Sequence, residues 1–279
     1  MSNLMTSKEL CTKIEEEVKG FAKGCIIRPS VAIINIGNDP IREKFIKAKE
    51  EACNRSGIYF RYHQFDEDTP ELTIINRIKE LNNDDYVNGI MINLPIPERY
   101  NEKRLLNTII NSKDIDGLTD INIGRLISGR KSITPCTALG IVELLKAYEV
   151  DLEGKEVVIV GKGKLVGRPL ITVLLNEGAT VTVCHTKTEN IKKHTLNADI
   201  VISACGIKNI ITADMIKDGA IVVDAGYTII EGETFTDVDF DKVSKKASLI
   251  TPPKGGVGPM TVAMFLKNIM LCYNNKNKK

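Results

Sequence analysis

Residues 156–170 read EVVIVGKGKLVGRPL. Val157 to Val160 is an apolar run of strand length that stops at Gly161 and restarts as an amphipathic segment. That pattern predicts a strand, a tight turn and a helix start. Gly161, Gly163 and Gly167 space as G-x-G-x-x-x-G, one residue longer than the dinucleotide fingerprint. Glycines let a backbone bend sharply and approach a pyrophosphate, and the helix N-terminus that follows favours its charge. The chemistry such a turn offers is phosphate binding. The plain alternative is an ordinary strand-to-helix turn, and the strand–turn–helix context favours the first. The next apolar run, Ala179 to Cys184, ends in His185-Thr186-Lys187-Thr188, with no carboxylate before Glu189. NAD-binding units usually place a carboxylate there to accept the ribose 2′-hydroxyl, and a carboxylate repels a 2′-phosphate. Hydroxyls and lysines attract one. Lys162, Thr186 and Lys187 therefore predict NADP, although each lysine alone is equally a solvated surface charge.

Three other stretches are poor scaffold. Residues 250–261, ITPPKGGVGPMT, crowd glycines and prolines before a helix, so a ligand can lie against backbone at Gly255 and Gly256. Ser112 to Gly117 sets Asp114 and Asp116 in an irregular segment. Asn93-Leu94-Pro95-Ile96-Pro97 follows a strand, where α/β sheets place ligands. Lys49 stands one helical turn after Phe45, on a shared face. On residues alone, Lys49 belongs to a solvated charge run from Glu43 to Glu50, Phe45 is as readily a core ring as one that stacks on a ligand, and the plain alternative for Asp116 is a loop cap like Asp114 and Asp120. His63, His185 and His194 do not cluster, and Cys184 and Cys205 read as packing residues at strand ends.

The elements that must position these residues alternate. Helices are predicted over 8–22, 41–55, 71–82, 137–148, 165–176, 189–195, 212–217 and 260–272. Strands are predicted over 31–36, 58–63, 89–93, 156–160, 179–184, 199–203, 220–224 and 248–250. Asp39-Pro40 and Thr69-Pro70 each read as an N-cap followed by proline at the first helical position. Residues 112–134 read as irregular. Such alternation predicts two α/β domains with parallel sheets, and 279 residues are enough for a core in each. The last helix is free to return to the first domain.

Composition narrows the function classes. Interspersed charge, 38 basic against 36 acidic residues, gives a net +2 and no basic stripe for nucleic acid. The lysines after Asn274 read as a solvated tail. No apolar run approaches the roughly 18 residues of a membrane span. The first residues, MSNLMTSKELCTK, lack a signal-peptide core. Seven scattered cysteines without metal-ligand spacing predict a reduced, cytoplasmic protein without structural zinc.

The chain closely resembles the bifunctional methylenetetrahydrofolate dehydrogenase/cyclohydrolase family through GNDP…KFIKAKEEAC (37–53), GIMINLPIP (89–97), KDIDGLTDINIGRL (113–126), TPCTALG (134–140), VIVGKGKLVGRP (158–169), GATVTVCHTKT (178–188), DIVISACG (199–206) and TPPKGGVGPMTVAM (251–264). The resemblance implies a folate-binding catalytic domain over 1–138, with a C-terminal helix in 260–279 returning to it. It implies a Rossmann-type, doubly wound NADP-binding domain over 139–259, with the active site in the cleft between them. It implies NADP-dependent oxidation of 5,10-methylenetetrahydrofolate and hydrolysis of the methenyl product to 10-formyltetrahydrofolate, in one-carbon metabolism, by a homodimer. By position, Lys49 takes the catalytic lysine's place and Asp116 that of the pterin-binding aspartate. Phe45 stands where the family has tyrosine, and Asn93 where it has glutamine. Gly161, Lys162, Gly163, Gly167, Thr186 and Tyr227 take cofactor positions, Lys162-Gly163 replacing the usual Arg-Ser. A dehydrated lysine at 49 would assist water attack and stabilise the developing charge. Asn93 is one methylene shorter than glutamine, so its reach falls by about 1.5 Å. A full dehydrogenase with a present but weakened cyclohydrolase is expected. The alternatives are a monofunctional dehydrogenase, a ligand-binding regulator without turnover, and another two-domain oxidoreductase.

Overall fold

The computed structural model describes residues 4–230 and 233–276. Residues 1–3 and the end of the expected C-terminal helix and tail, 277–279, lie outside the described residues. Contacts divide the chain into two α/β units. One is Thr12–Cys136 with Val262–Lys279, and the other is Met1–Cys11 with Thr137–Thr261.

The first unit is built on a three-stranded parallel sheet, β2-β1-β3, from β1 (Ser30–Ile36), β2 (Tyr59–Phe65) and β3 (Gly89–Ile92). Every residue of the central strand β1 is buried. Successive side chains of a strand face opposite sides. Ala32, Ile34 and Ile36, with Ile90 and Ile92, pack with Ile74, Ile78 and Leu81 of α3 (Glu71–Asn83) and Leu105 of α4 (Glu102–Thr108). The other face carries Ile33, Asn35, Met91 and Asn93; there Met91 meets Lys49 of α2 (Pro40–Arg55), whose ammonium lies over the Phe265 ring of α10 (Val257–Lys276).

The Asp39-Pro40 device forms: the Asp39 carboxylate accepts the Arg42 amide N–H at 3.3 Å, and the helix starts at Pro40. Thr69-Pro70 does not repeat it. Pro70 itself is the cap residue of α3, in extended geometry and without a side-chain cap bond, so the helix starts at Glu71. The segment 112–134 is not wholly irregular. It holds α5 (Asp120–Ile127), capped by Thr119 accepting from the Asn122 N–H at 3.3 Å. Both α4 and α5 span only about two turns, so their caps, Asn101 and Thr119, mark them better than apolar period does.

The second unit has a five-stranded parallel sheet, β10-β7-β6-β4-β5. Its strands are β4 (Glu156–Val160), β5 (Thr180–Cys184), β6 (Ile200–Ser203), β7 (Ile221–Asp224) and β10 (Leu249–Ile250). The chain runs from β4 to β5 on one side and then crosses to β6 on the other. The carboxyl ends of β4 and β6 therefore form a topological switch point, where open α/β sheets bind ligands. An antiparallel hairpin, β8 (Tyr227–Ile230) with β9 (Glu233–Thr236), adds strands the sequence reading omits. Only a 3-10 turn, Ala213–Met215, forms where a helix over 212–217 is predicted.

Candidate active site

Each unit carries its own group of functional side chains. In the first unit, Lys49 lies on α2 in a run where Lys44, Lys47 and Glu50 are exposed, yet it is only 8% exposed itself. Its Nζ donates to Met91 Sδ at 3.4 Å and sits 5.6 Å from the Phe265 ring centroid. An ammonium over an aromatic face, with few polar partners, has lost most of its hydration. Asp116 lies near enough for the two charges to interact. Burial pushes its carboxyl above the ordinary range, the Lys49 ammonium pulls it back, and the Asp114 carboxylate adds to the rise.

The backbone around Asp116 is tightly held. Ile90 N–H donates to Lys113 O at 2.6 Å and Ile115 N–H to Ile90 O at 3.3 Å, so residues 113–115 extend the ladder of β3. Gly117 has φ +66°, and a Cβ there would strike the Ile133 carbonyl. Asn268 on α10 donates to Ile115 O at 2.8 Å and Thr134 O at 2.9 Å, bracketing the segment from the other side. Asp114 is occupied as a brace: its Oδ2 accepts from Thr119 N–H at 2.8 Å and Asn122 Nδ2 at 2.9 Å. Asp116 is less committed, its Oδ1 accepting from Cys136 Sγ at 3.6 Å, and could accept hydrogen bonds from a ligand. Phe45, five residues after Pro40 on the same helix, is 41% exposed.

Asn93 continues β3, donating its N–H to Ile34 O at 2.8 Å. Its side chain meets no atom of Lys49 at hydrogen-bond distance among the described residues. Instead Nδ2 donates to Asn35 Oδ1 at 3.0 Å. Asn35, buried at the fifth position of VAIINI, is absent from the candidate residues named above, and so are Met91, Phe265 and Asn268. The lone amide inside an apolar strand run is the signal that points to Asn35.

In the second unit, the turn after β4 runs into α7 (Gly167–Asn176). Gly161 has φ +117°, and a Cβ on it would strike the Ala204 carbonyl after β6. A Cβ on Gly167 would strike the Gly161 carbonyl. Gly163 is exposed with open space around it, its carbonyl accepting the Arg168 N–H at 3.0 Å. This is a cradle that a side chain would fill. Lys162, Thr186 and Lys187 are exposed at the ends of β4 and β5. Among the described residues no carboxylate pairs with either lysine. The turn after β5 is pinned by the Thr188 hydroxyl, which accepts His185 N–H at 3.0 Å, and by His185 Nδ1, which accepts Lys187 N–H at 3.1 Å. A glycine cradle at a switch point, with unpaired cations at two adjacent strand ends, suits a phosphorylated dinucleotide.

Tyr227, 46% exposed, starts β8 just past β7. Beneath it Asp237 is fully buried, accepting from Ser203 Oγ at 2.7 Å, Cys205 N–H at 2.8 Å and Ile207 N–H at 2.8 Å. The Asp224 carboxyl is pushed up to about 6 by burial, with Asp237 adding to the rise against amide hydrogen bonds that lower it. These carboxylates brace the ends of β6 and β7. Gly255, with φ +80°, accepts Ser7 N–H at 2.9 Å and Ser7 Oγ at 2.8 Å through its carbonyl. A Cβ on Gly256 would approach Pro252 O to 2.9 Å. Both glycines group with the second unit, apart from Phe45 and Asp116 in the first. Among the described residues no His/Cys/Asp/Glu cluster could hold a metal, and no helix is long and apolar enough to cross a membrane.

Comparison with known proteins places these groups in context. A family profile described as the tetrahydrofolate dehydrogenase/cyclohydrolase catalytic domain matches residues 4–116. A second, described as the NAD(P)-binding domain of the same proteins, matches residues 135–277. The chain is 45% identical over 278 residues to a bifunctional protein FolD of Campylobacter jejuni, covering 98% of this chain and 99% of that protein. A crystal structure of the bifunctional FolD methylenetetrahydrofolate dehydrogenase/cyclohydrolase from Campylobacter jejuni superposes with a TM-score of 0.94 at 45% identity, over 98% of this chain and 99% of that one. The Trypanosoma brucei dehydrogenase-cyclohydrolase, solved with NADP and an inhibitor, superposes with a TM-score of 0.94 at 30% identity, over 99% of this chain and 98% of that one.

Proposed function

Because the chain belongs to the tetrahydrofolate dehydrogenase/cyclohydrolase family, we infer that it catalyses both reactions the family name joins. It oxidises 5,10-methylenetetrahydrofolate to the methenyl cation and hydrolyses that cation to 10-formyltetrahydrofolate. The observation that carries the assignment of the first unit is the burial of Lys49 in an otherwise exposed charge run, beside Asp116. A solvating lysine would stay in water.

The roles follow from charge and position. Asp116 accepts two N–H donors from the amino-pyrimidine edge of the pterin. Phe45 lays an apolar ring against the folate. Lys49 stabilises charge and relays a proton as water adds to the methenyl carbon. The water's oxygen bonds to that carbon and loses a proton. The hydroxyl gives up its second proton as the C–O double bond forms, the bond from the carbon to N5 breaks with its electron pair going to N5, and N5 takes up a proton, leaving the formyl group on N10.

The glycine cradle of Gly161, Gly163 and Gly167, with Lys162, Thr186 and Tyr227, would hold NADP. Bound there, NADP supplies the hydride acceptor. The preference for NADP over NAD rests on the missing carboxylate after β5 and on the unpaired Lys162. Lys162→Ala is expected to weaken NADP by about 1–3 kcal/mol, roughly five- to 150-fold, and NAD far less. Titrating both nucleotides by fluorescence checks this. If the unmodified protein binds NAD as tightly as NADP, the 2′-phosphate assignment is wrong. A homodimer and a cytoplasmic location, where free cysteines stay reduced, belong to the same proposal.

Mixing the protein with methylenetetrahydrofolate and NADP and following product absorbance tests the whole reading. Reduced cofactor appearing without faster methenyl hydrolysis would favour a monofunctional dehydrogenase.

A further inference from the structure

Three amides lie in one row across the first sheet. Gln64 on β2 is the register partner of Asn35 on β1. On the other side, Ile34 pairs with Ile92, so Asn35 stands beside Asn93 one step further along. The row is bonded throughout. Asn93 Nδ2 donates to Asn35 Oδ1 at 3.0 Å, and Asn35 Nδ2 donates to Gln64 Oε1 at 2.9 Å and to Gly37 O at 3.0 Å. Gln64 Nε2 donates to Gly37 O at 3.0 Å and Phe65 O at 3.1 Å, and Tyr62 OH donates to Gln64 Oε1 at 2.5 Å.

The sense of the row is not arbitrary. An amide can be turned end for end unless its neighbours forbid it. Here the neighbours are backbone carbonyls, which only accept. Gly37 O and Phe65 O force Nε2 of Gln64 toward them, so Oε1 faces Asn35. Gly37 O and Gln64 Oε1 then force Nδ2 of Asn35 toward them, so its Oδ1 faces Asn93. Asn93 must present Nδ2 to it. That commits Asn93 Nδ2 and leaves Oδ1 as the acceptor Asn93 can offer a ligand. No donor among the described residues takes that oxygen. Met91, two residues earlier on the same face of β3, carries the contact to Lys49.

A fully buried amide in the centre of a parallel sheet is costly unless bonded. Self-satisfaction alone would explain Asn35, but not why its one accepting atom is given to Asn93. We propose that Asn35 is a positioning residue for hydrolysis: it fixes the Asn93 amide with Oδ1 free to accept a hydrogen from the attacking water. The chain from Gln64 polarises in one direction, which strengthens the hold. This rests on the bifunctional reading and the role of Lys49 given above, with Asn93 standing where the family has glutamine.

The test compares hydrolysis of methenyltetrahydrofolate with dehydrogenation in the same preparations. Asn35→Leu should lower hydrolytic kcat by roughly five- to tenfold, the scale of one orienting hydrogen bond. The hydrolysis-to-dehydrogenation ratio should fall, and KM for the methenyl substrate should move less than kcat. In an Asn93→Ala background the same change should leave that ratio where Asn93→Ala put it, because nothing remains to orient. A purely structural role would lower both activities together, in either background. Gln64, exposed on the edge strand, gives a milder probe. Gln64→Ala should lower the ratio in the same direction, and it decides the matter alone if Asn35→Leu does not fold. A ratio unmoved by these changes, or moved equally with and without Asn93, overturns the proposal while leaving the bifunctional reading intact. An unmodified protein with no hydrolysis above background overturns both.

Discussion

Lys49→Met is expected to cut hydrolysis of methenyltetrahydrofolate by roughly 10²- to 10⁴-fold, the usual contribution of a positioned proton-transfer group. Methionine keeps most of the stem that lies against Met91 and Phe265 but removes the ammonium. Replacing a buried charge by an apolar group of similar volume is often neutral or stabilising. The melting temperature should therefore hold or rise while hydrolysis fails, which separates a chemical role from a structural one. Dehydrogenation, which depends on ring placement, should fall much less. The measurement is the decay of methenyltetrahydrofolate absorbance above its spontaneous rate. If Lys49→Met hydrolyses as fast as the unmodified protein, the lysine is not the proton-transfer group.

Asp116→Ala should disable both activities through folate binding. Two charge-assisted hydrogen bonds to the pterin amount to about 3–6 kcal/mol, or roughly 10²- to 10⁴-fold in substrate KM. NADP affinity, set by the second unit, should stay close to normal. The carboxylate form is the one that binds, and burial raises its pKa. Folate binding therefore weakens as pH falls through the folded value, and this acid limb lies above the ordinary carboxylate range. Lys49 opposes the rise, so Lys49→Met should move the limb of the dehydrogenase profile to still higher pH. KM measured against pH for the two variants and the parent checks the sign. An acid limb that stays put in Lys49→Met, or Asp116→Ala with a normal KM, would remove Asp116 from the pterin site.

The sequence exposes the long apolar strands and the glycine turn because their periods are strong and local. Lys49 is harder. Its neighbours are nearly all charged, and charge count alone places it in water. Yet Ile46, Lys49 and Cys53 fall at helical spacing, and Ile46, Ala52 and Cys53 are all buried. The lysine shares the face of a buried stripe, a signal that period carries and composition hides. Asn35 is concealed by the opposite habit: a run such as VAIINI reads as plain core, so its single amide passes as noise. The role of Asn93 depends on which neighbour it meets, and only strand register decides that. Residues 120–127, 227–230 and 233–236 form elements too short for an apolar period to show, set instead by the Thr119 cap and by the pairing of the two short strands with each other.

The first unit takes Thr12–Cys136 from early in the chain and Val262–Lys279 from its end. Phe265 is fully buried in it, and Asn268 ties Ile115 to Thr134. On the ribosome, this unit therefore waits for its last piece. At about 5–20 residues per second, the stretch between Cys136 and Val262 takes roughly 6–25 s to make. The second unit, apart from Met1–Cys11, is contiguous and is completed before then. The nascent protein should pass through a stage with a formed nucleotide-binding unit and an incomplete folate-binding one, still lacking the Phe265 ring against Lys49 and the Asn268 ties to Ile115 and Thr134. Chains arrested before residue 262 should be cleaved by protease within 12–136 but resist within 137–261. Resistance in both regions at that stage would mean that the final helix joins a unit already folded.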